Sequence, residues 1–320
     1  MITATISNFT GQYARLNSPQ SDIDISLIGL ARCVMSVGQA GRHEVLQSGF
    51  WRLSYLLCMT FAHVREENGY LRLSDLFMHR LDQSEKISVS YQLGMGLSKA
   101  CAELLLDIPW LIHTRHFGNI TLSRSGRRLP PKIQLHPSPR PAREPDLIGI
   151  DKSGRPHVFE AKGYSSGPNP AELQHAIDQV SQVVSINGVP PATRVVTFFD
   201  MSGHRIDGEI IDPDETPDAG IRYERSIGEF LNDYYSSYLN DDAWYGAQRQ
   251  ERFGRTFMLR EVGMPNYFFG LDYEVYQAMR DHEIPENAFR FYADNYREIN
   301  NSNEKNVTSV GMDGMILLTR

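Results

Sequence analysis

The chain has 320 residues, of which 41% are hydrophobic and 22% are charged, and its net charge is −7. This composition is typical of a globular protein with a substantial core, in one large domain or two moderate ones. There is no basic N-terminal leader, no run of about eighteen apolar residues that could span a bilayer and no metal-type cysteine spacing, so we expect a cytoplasmic protein with reduced thiols and no membrane partner.

Residues 1–90 are predicted to form a helical accessory region. Apolar side chains recur with a helical period over 43–64, and a second helix is predicted over 71–81 with Ser74 as its N-cap. Residues 1–26 alternate too weakly to assign an element. We expect the helix over 43–64 to pack on the core or to form part of an oligomer interface, and no catalytic pattern occurs in the region.

Residues 91–205 are predicted to form the core, since six elements follow one another within them. The elements are a helix over 93–107 that ends before Pro109, a strand over 110–114, a hairpin of two strands within 143–163, a helix from Asn169 to about Gly188 and a strand over 194–199. Asn169 and Pro170 give that second helix a capping side chain and a proline at its first position.

The hairpin carries ionisable residues where apolar ones are expected. Its turn has the composition Lys152-Ser153-Gly154. If the loop has three residues with Gly154 in the left-handed conformation, Asp146 lies opposite Glu160. Side chains alternate along a strand, so Glu160 and Lys162 then share the face of Asp146. A two-residue turn would instead turn Asp146 to the opposite face.

Two carboxylates and an ammonium group at one sheet end suggest a metal site. Hard cations such as Mg²⁺ take oxygen ligands, which Asp146, Glu160 and the Ala161 carbonyl can supply. Lys162 can then neutralise charge on a phosphate or orient a water molecule. The alternative is that Asp146 and Glu160 are ordinary strand-edge charges with Lys162 as their ion-pair partner.

Pro145-Asp146, a spacer of thirteen residues and Glu160-Ala161-Lys162 resemble the bipartite motif of the PD-(D/E)xK phosphodiesterases, the restriction-endonuclease-like superfamily. The resemblance implies an α/β fold whose core runs helix, three strands, helix, strand, as a mixed sheet flanked by helices. It implies that Asp146 and Glu160 are metal ligands and Lys162 the catalytic lysine, with Mg²⁺ or Mn²⁺ as cofactor. Many members add an acid from the first helix, for which Glu103 is the candidate; a solvated helix face is the alternative.

A basic insertion at 115–143 precedes the hairpin. Residues 108–143 carry seven positive charges and no acidic residue, so the rest of the chain sums to −14. The candidates for nucleic-acid binding are Arg124, Arg127, Arg128, Lys132 and Arg143. Positive side chains displace counterions from a phosphate backbone, which favours a nucleic-acid partner; solubilising loop charges are an equally weighted alternative.

Residues 206–320 are predicted to be an acidic, aromatic-rich and mainly helical region that ends in a strand. Residues 200–220, at the junction with the core, are rich in acidic residues, glycine and proline and are predicted to be a solvated linker or hairpin. The aromatic residues of 206–320 are more often core than base-stacking platforms, and the acidic balance argues against a second nucleic-acid surface.

The sequence therefore predicts a metal-dependent nuclease acting on nucleic acid, with DNA the expected substrate. At the level of the family, a role in bacterial restriction or defence is an expectation, and both a homo-oligomer and a subunit of a multi-protein system are compatible with it. The alternative is a catalytically inactive nuclease-fold subunit that binds nucleic acid or a partner protein.

Overall fold

The computed structural model describes residues 1–37, 50–114, 121–122, 128–129, 144–167, 169–213, 220–239, 244–300 and 307–320. The described strands are β1 (Ile2–Ser7), β2 (Ser18–Ile23), β3 (Val64–Glu67), β4 (Tyr70–Leu73), β5 (Trp110–His113), β6 (Thr121–Leu122), β7 (Arg128–Leu129), β8 (Leu147–Ile150), β9 (Pro156–Tyr164), β10 (Val183–Ile186), β11 (Arg194–Asp200), β12 (Asp207–Ile211), β13 (Ile221–Tyr223), β14 (Gln248–Arg252), β15 (Arg255–Glu261), β16 (Tyr267–Asp272), β17 (Thr308–Val310) and β18 (Met315–Thr319). The described α-helices are α1 (Leu27–Ser36), α2 (Phe50–His63), α3 (Asp75–His79), α4 (Gln83–Leu106), α5 (Pro170–Val180), α6 (Ile227–Tyr235), α7 (Tyr273–Arg280) and α8 (Glu286–Asn300).

A seven-stranded mixed sheet has the order β2-β1-β12-β11-β9-β8-β5. The pairs β9–β11 and β1–β12 are parallel, and the other neighbours are antiparallel. The central strands β8, β9 and β11 are buried over most of their length, as expected where both faces of a sheet are covered. The candidate site described below therefore lies on inner strands of the sheet and not on its edge strands.

The long helix α4 lies against one face of this sheet. It begins with a capping box of Asp82 and Glu85, and it ends where Asp107 takes a left-handed conformation with φ 53°. Its glycines allow close approach on two sides. A Cβ atom at Gly94 would lie 2.9 Å from the backbone of Gly163 in β9, and one at Gly96 would lie 2.3 Å from the Val34 side chain of α1. Helix α4 is thus held between the sheet and α1.

Helix α5 covers the other face of β9. Asn169 caps it, accepting from the backbone N–H of Ala171, and Pro170 occupies its first position. The Tyr164 hydroxyl donates to Glu172 of α5 at 3.2 Å, whereas the neighbouring Gly163 faces α4. Since adjacent strand residues point to opposite faces, α4 and α5 lie on opposite sides of the sheet.

A second sheet, antiparallel throughout, has the order β14-β15-β16-β18-β17. Strands β17 and β18 pack against α1, and α8 packs against β17. The apolar side chains of both sheets belong to one continuous core. The molecule is therefore a mixed α/β structure in which helices α1 and α4 separate two sheets.

The predicted order of core elements is confirmed as a succession of helix, strand, hairpin, helix and strand: α4, β5, β8–β9, α5 and β11. One difference lies between α5 and β11. The predicted helix was expected to run to Gly188, but it ends at Val180, and Val183–Ile186 instead forms β10, which pairs with β13. Three of the four β10 residues are buried, so its apolar side chains are used by a strand rather than by a helix stripe.

The flanking regions differ from their predictions. Residues 1–90 were expected to be helical, yet β1 and β2 form one edge of the large sheet. Residues 200–220 were expected to form a solvated linker or a hairpin; the hairpin is confirmed up to residue 211, because β12 pairs antiparallel with β11, and β12 also joins β1 to the core strands. Residues 244–320 hold the five-stranded sheet in addition to helices α7 and α8, and the predicted final strand is β18. Polar edge strands such as β2 lack the alternation that would identify them.

Among the described helices, none combines the length and the apolar character that crossing a bilayer requires.

Candidate functional site

The hairpin β8–β9 has the register that the turn predicts. Leu147 pairs with Phe159 and Ile150 with Pro156, which places Asp146 opposite Glu160. Gly154 has φ +78°, and its N–H donates to the carbonyl of Asp151 at 2.9 Å. The left-handed glycine therefore closes the three-residue loop and fixes which side chains face each other.

Three charged side chains meet at the open end of this hairpin. The Lys162 ammonium group contacts Glu160 Oε1 and lies 3.8 Å from Asp146 Oδ2. The backbone N–H of Asp146 donates to Glu160 Oε2 at 2.8 Å, and the N–H of Ala161 donates to Asp146 Oδ2 at 3.3 Å. Each carboxylate is thus anchored by the backbone beside the other, and Lys162 neutralises both.

The backbone of Ala161 is turned toward the same group. Its N–H points to Asp146, and the N–H and C=O of one strand residue point to the same side of the strand. The Ala161 carbonyl therefore faces the side on which β8 has ended and Asp146 begins. The predicted oxygen donors, two carboxylates and one carbonyl, lie around one end of the hairpin.

Burial sets the electrostatics of the site. Glu160 is fully buried, whereas Asp146 and Lys162 keep 20% and 25% of their side chains exposed. Desolvation, with the charge of Asp146, raises the pKa of Glu160 to about 7 against the opposing effect of Lys162. Burial disfavours the charge of Lys162, but Glu160 and Asp146 outweigh it and raise its pKa. The site therefore holds an ammonium ion beside a carboxyl group that titrates near neutral pH.

The strand that carries Glu160 and Lys162 is held rigidly from the α4 side. A Cβ atom at Gly163 would lie 2.1 Å from the carbonyl oxygen of Ser90 in α4, so the helix backbone touches the strand backbone. Thr197 of β11 donates to the carbonyl of Glu160 at 3.3 Å and lies 2.5 Å from the hydroxyl of Ser98. These contacts fix the position of β9 next to the site.

Two residues on the α5 side complete the site and were not predicted from sequence. Tyr164 stacks on Phe198 with ring centroids 4.4 Å apart and donates to Glu172. The charge of Glu172 also contributes to the raised pKa of Lys162. Period two along β9 already placed Tyr164 on the face of Glu160 and Lys162, but only the packing of α5 brings Glu172 there.

The structure places Glu103 elsewhere, and the prediction that it joins the metal ligands receives no support from its contacts. Gly94 and Ser98 face the large sheet, whereas Glu103 lies about 140° around α4 from Ser98 at about 100° per residue. Its carboxylate accepts from Arg32 at 2.5 and 3.2 Å and lies 2.9 Å from Lys99. Glu103 is not on a solvated helix face either, because it is buried in an ionic cluster.

The predicted nucleic-acid-binding side chains, Arg124, Arg127, Arg128, Lys132 and Arg143, lie outside the described residues apart from the backbone of Arg128, which begins β7. The described chain resumes at Glu144, directly before Pro145 and Asp146. The basic insertion is thus connected in sequence to the site by two residues.

The site is therefore defined by its own geometry and by the order of elements around it. No protein-family model, curated protein or solved structure matches the chain.

Proposed function

We propose that Asp146, Glu160 and Lys162 form the active centre of a metal-dependent phosphodiesterase that cleaves nucleic acid, with DNA as the expected substrate. The observation that carries this proposal is the convergence of the three side chains at the end of the hairpin. Two carboxylates and one ammonium group on adjoining strands suit the hydrolysis of a phosphodiester, in which water attacks phosphorus and an alcohol oxygen leaves.

The burial of Glu160 favours this function over ordinary strand-edge charges. A charged side chain at the edge of a strand stays hydrated when it forms an ion pair. Holding it there costs little desolvation free energy. Glu160 is instead fully buried, and its pKa is raised to about 7. Because burying a charge costs several kcal/mol per ion, such perturbed groups are concentrated at functional sites.

The donor set fits a hard divalent cation such as Mg²⁺ or Mn²⁺. Asp146, Glu160 and the Ala161 carbonyl would hold it through oxygen atoms, and the remaining positions would be filled by water and phosphate. When bound, such a cation supplies Lewis-acid activation of a phosphoryl oxygen and of a water molecule. Burial, with the charge of Asp146, raises the pKa of Glu160, and a bound cation would favour its ionised form.

The ammonium group of Lys162 can pair either with the two carboxylates or with a phosphate group of the substrate. It contacts Glu160 now, and its side chain is 25% exposed, so its ammonium group can reach a bound phosphate. There it would neutralise charge that develops on the phosphoryl oxygens as the leaving bond breaks. Tyr164 and Glu172 lie on the same face and would line one side of the space that the phosphate occupies.

The fold context supports a restriction-endonuclease-like core. The motif lies on the second and third strands of the succession α4, β5, β8, β9, α5 and β11, which is the order that the resemblance implies. The departures are the two-stranded pair β6–β7 between β5 and β8, the short strand β10 before β11, and the strands β12, β1 and β2 beyond it. None of these interrupts the hairpin that carries the site.

The test is cleavage of linear and circular DNA, and of RNA, by the full chain with Mg²⁺ or Mn²⁺. Lys162→Ala should lower the rate by about 10²- to 10³-fold, as removal of one charge-stabilising group does elsewhere. Lys152→Ala, which changes the exposed lysine in the turn of the same hairpin, should leave it unchanged. Asp146→Asn and Glu160→Gln should abolish both cleavage and metal binding.

Cleavage that persists in Lys162→Ala would contradict the proposal. Metal-independent binding of nucleic acid by a wild-type chain that cleaves none of these substrates would favour the inactive nuclease-fold subunit instead.

A further inference from the structure

A second group of metal-ligand side chains lies on the surface near the end of the large sheet. Asp75 and His79 belong to α3, and His204 follows β11. One ligand atom from each residue lies within 4.8 Å of those of the other two, and all three residues are exposed. The rings of His79 and His204 have their centroids 6.0 Å apart.

The fold brings these residues together by local rules. Ser74 caps α3 by accepting from the N–H of Phe77, and Asp75 and His79, four residues apart, share one helix face. The segment that carries His204 runs antiparallel to the end of β4, where the N–H of Leu73 donates to the carbonyl of His204 at 2.8 Å. The cluster is therefore set on hydrogen-bonded backbone from two parts of the chain.

The hydrogen bond of the His204 ring prepares it for a metal. Its Nδ1 lies 3.1 Å from the carbonyl oxygen of Leu73, which can only accept, so Nδ1 carries the proton. In the neutral ring, Nε2 is then the atom with the free lone pair. An imidazole whose second nitrogen donates to a carbonyl is the usual arrangement of a metal-binding histidine.

We propose that Asp75, His79 and His204 form a binding site for Zn²⁺. Two imidazole nitrogens and one carboxylate oxygen are donors that Zn²⁺ accepts, and three protein ligands leave a fourth tetrahedral position for water. Mg²⁺ prefers oxygen donors and is the expected ion at Asp146 and Glu160, so the two sites select different metals by their donors.

Bound Zn²⁺ would join α3 to the connection between β11 and β12. These segments are far apart in sequence, since Asp75 precedes the large sheet's central strands and His204 follows them. A ligand that binds only the folded chain stabilises it by mass action. Zn²⁺ should therefore raise the melting temperature in a way that depends on the three side chains.

The test is calorimetric titration of the full chain, free of any histidine tag, with Zn²⁺, and thermal melting with and without Zn²⁺. The wild type should bind one Zn²⁺ per chain at this cluster. His204→Ala and Asp75→Asn should each weaken binding by at least about tenfold, because loss of a ligand costs no less than loss of an outer partner. Since both residues are exposed, the melting temperatures without metal should fall only slightly, by what the loss of the His204–Leu73 hydrogen bond costs.

His282→Asn is the matched control, since it removes an exposed histidine outside the cluster and keeps a residue that tolerates φ 59°. It should bind Zn²⁺ as the wild type does. Co²⁺ in place of Zn²⁺ should give tetrahedral d–d absorption without a thiolate band, which excludes the cysteines as ligands. Absence of stoichiometric Zn²⁺ binding by the wild type, or equal binding by His204→Ala, would overturn the proposal.

Discussion

Glu160 is the residue in which the chemistry of the candidate site is concentrated. It is fully buried, accepts from the N–H of Asp146 and contacts the Lys162 ammonium group. Desolvation and the nearby Asp146 favour its protonated form, whereas Lys162 favours its ionised form. The first two effects prevail, so the pKa of Glu160 rises from 4.5 to about 7. A divalent cation would reverse this balance by favouring the ionised carboxylate.

The contribution of Glu160 to the free energy of unfolding should therefore fall as pH rises from about 4.5 to 7 when chelator is present. In this window the folded carboxyl group binds a proton that the unfolded group has lost, so the folded state binds more protons and loses stability with rising pH. The expected contribution of Glu160 is on the order of 3 kcal/mol, at about 1.4 kcal/mol per pKa unit. Urea unfolding between pH 4 and 8 measures it.

Glu160→Gln supplies the comparison, since it cannot titrate and should lose this part of the pH dependence. In the wild type, Mg²⁺ should bind more tightly at pH 8 than at pH 6, because binding requires the ionised carboxylate. Equal slopes for the two proteins in chelator would show that the pKa of Glu160 is not raised.

Measurements of metal binding should distinguish the role of Lys162 from the role of the two carboxylates. Lys162→Met keeps the apolar stem and removes the charge that now lies against Glu160 and Asp146. Because the oxygen donors remain and no ammonium group competes with the cation, Mn²⁺ should bind at least as tightly as to the wild type, while cleavage is lost. Calorimetry and the DNA assay on the same preparation measure both. Loss of Mn²⁺ binding would show that Lys162 organises the carboxylates rather than acting on substrate.

At the level of elements, short sequence signals correctly predicted features that depend on neighbouring residues, namely a hairpin register and the start of a helix. Gly154 in a left-handed turn fixed the register of β8 and β9, and with it the pairing of Asp146 with Glu160. Asn169 and Pro170 marked the start of α5. Lys99, a partner of Glu103, lies four residues away on α4, but the other partners, Arg32 and Tyr296, could not be predicted, because they are distant in sequence and no periodicity specifies which side chains meet. The edge strand β2 escaped prediction because its residues are mostly polar.

Because α4 and β9 are in close contact, adding one methyl group at Gly163 should strongly destabilise the fold. In Gly163→Ala, the Cβ atom would lie 2.1 Å from the Ser90 carbonyl oxygen, so the helix or the strand must shift. We expect the free energy of unfolding to fall by at least about 1–3 kcal/mol, as overpacking does. Displacement of β9 should also reduce cleavage, since Lys162 is the adjacent residue. Urea unfolding and the DNA assay measure the two effects.

Gly228→Ala is the control for the substitution itself. A Cβ atom at Gly228 in α6 would meet no atom within 4 Å. Because Gly228 lies in the first turn of α6, replacing it by alanine should raise stability by no more than about 0.5–1 kcal/mol. A Gly163→Ala protein as stable as the wild type would mean that α4 does not touch β9 this closely.

For the whole molecule, a buried ionic cluster joins the two sheets through α1 and α4. Glu103 and Lys99 of α4 meet Arg32 of α1 and Asp313, which lies in the turn between β17 and β18. The distances are 2.5 Å for Arg32–Glu103, 2.9 Å for Lys99–Glu103 and 3.2 Å for Lys99–Asp313. Burial opposes the charge of Lys99, but Asp313 and Glu103 outweigh it and raise its pKa. Two cations and two anions thus balance each other between the sheets.

Replacing Glu103 should show whether its carboxylate stabilises the ionic cluster or binds the metal at the candidate site. In Glu103→Gln, Asp313 is the one anionic partner that the buried side chains of Arg32 and Lys99 retain among the described residues. We expect the free energy of unfolding to fall by about 3–5 kcal/mol, because breaking a buried pair leaves a charge uncompensated. Arg297→Gln, which breaks a pair with Asp107 whose side chains are 69% and 42% exposed, should cost less than about 1 kcal/mol. Mn²⁺ affinity should be unchanged in both variants, and a Glu103→Gln protein that is stable but has lost Mn²⁺ would place Glu103 among the metal ligands after all.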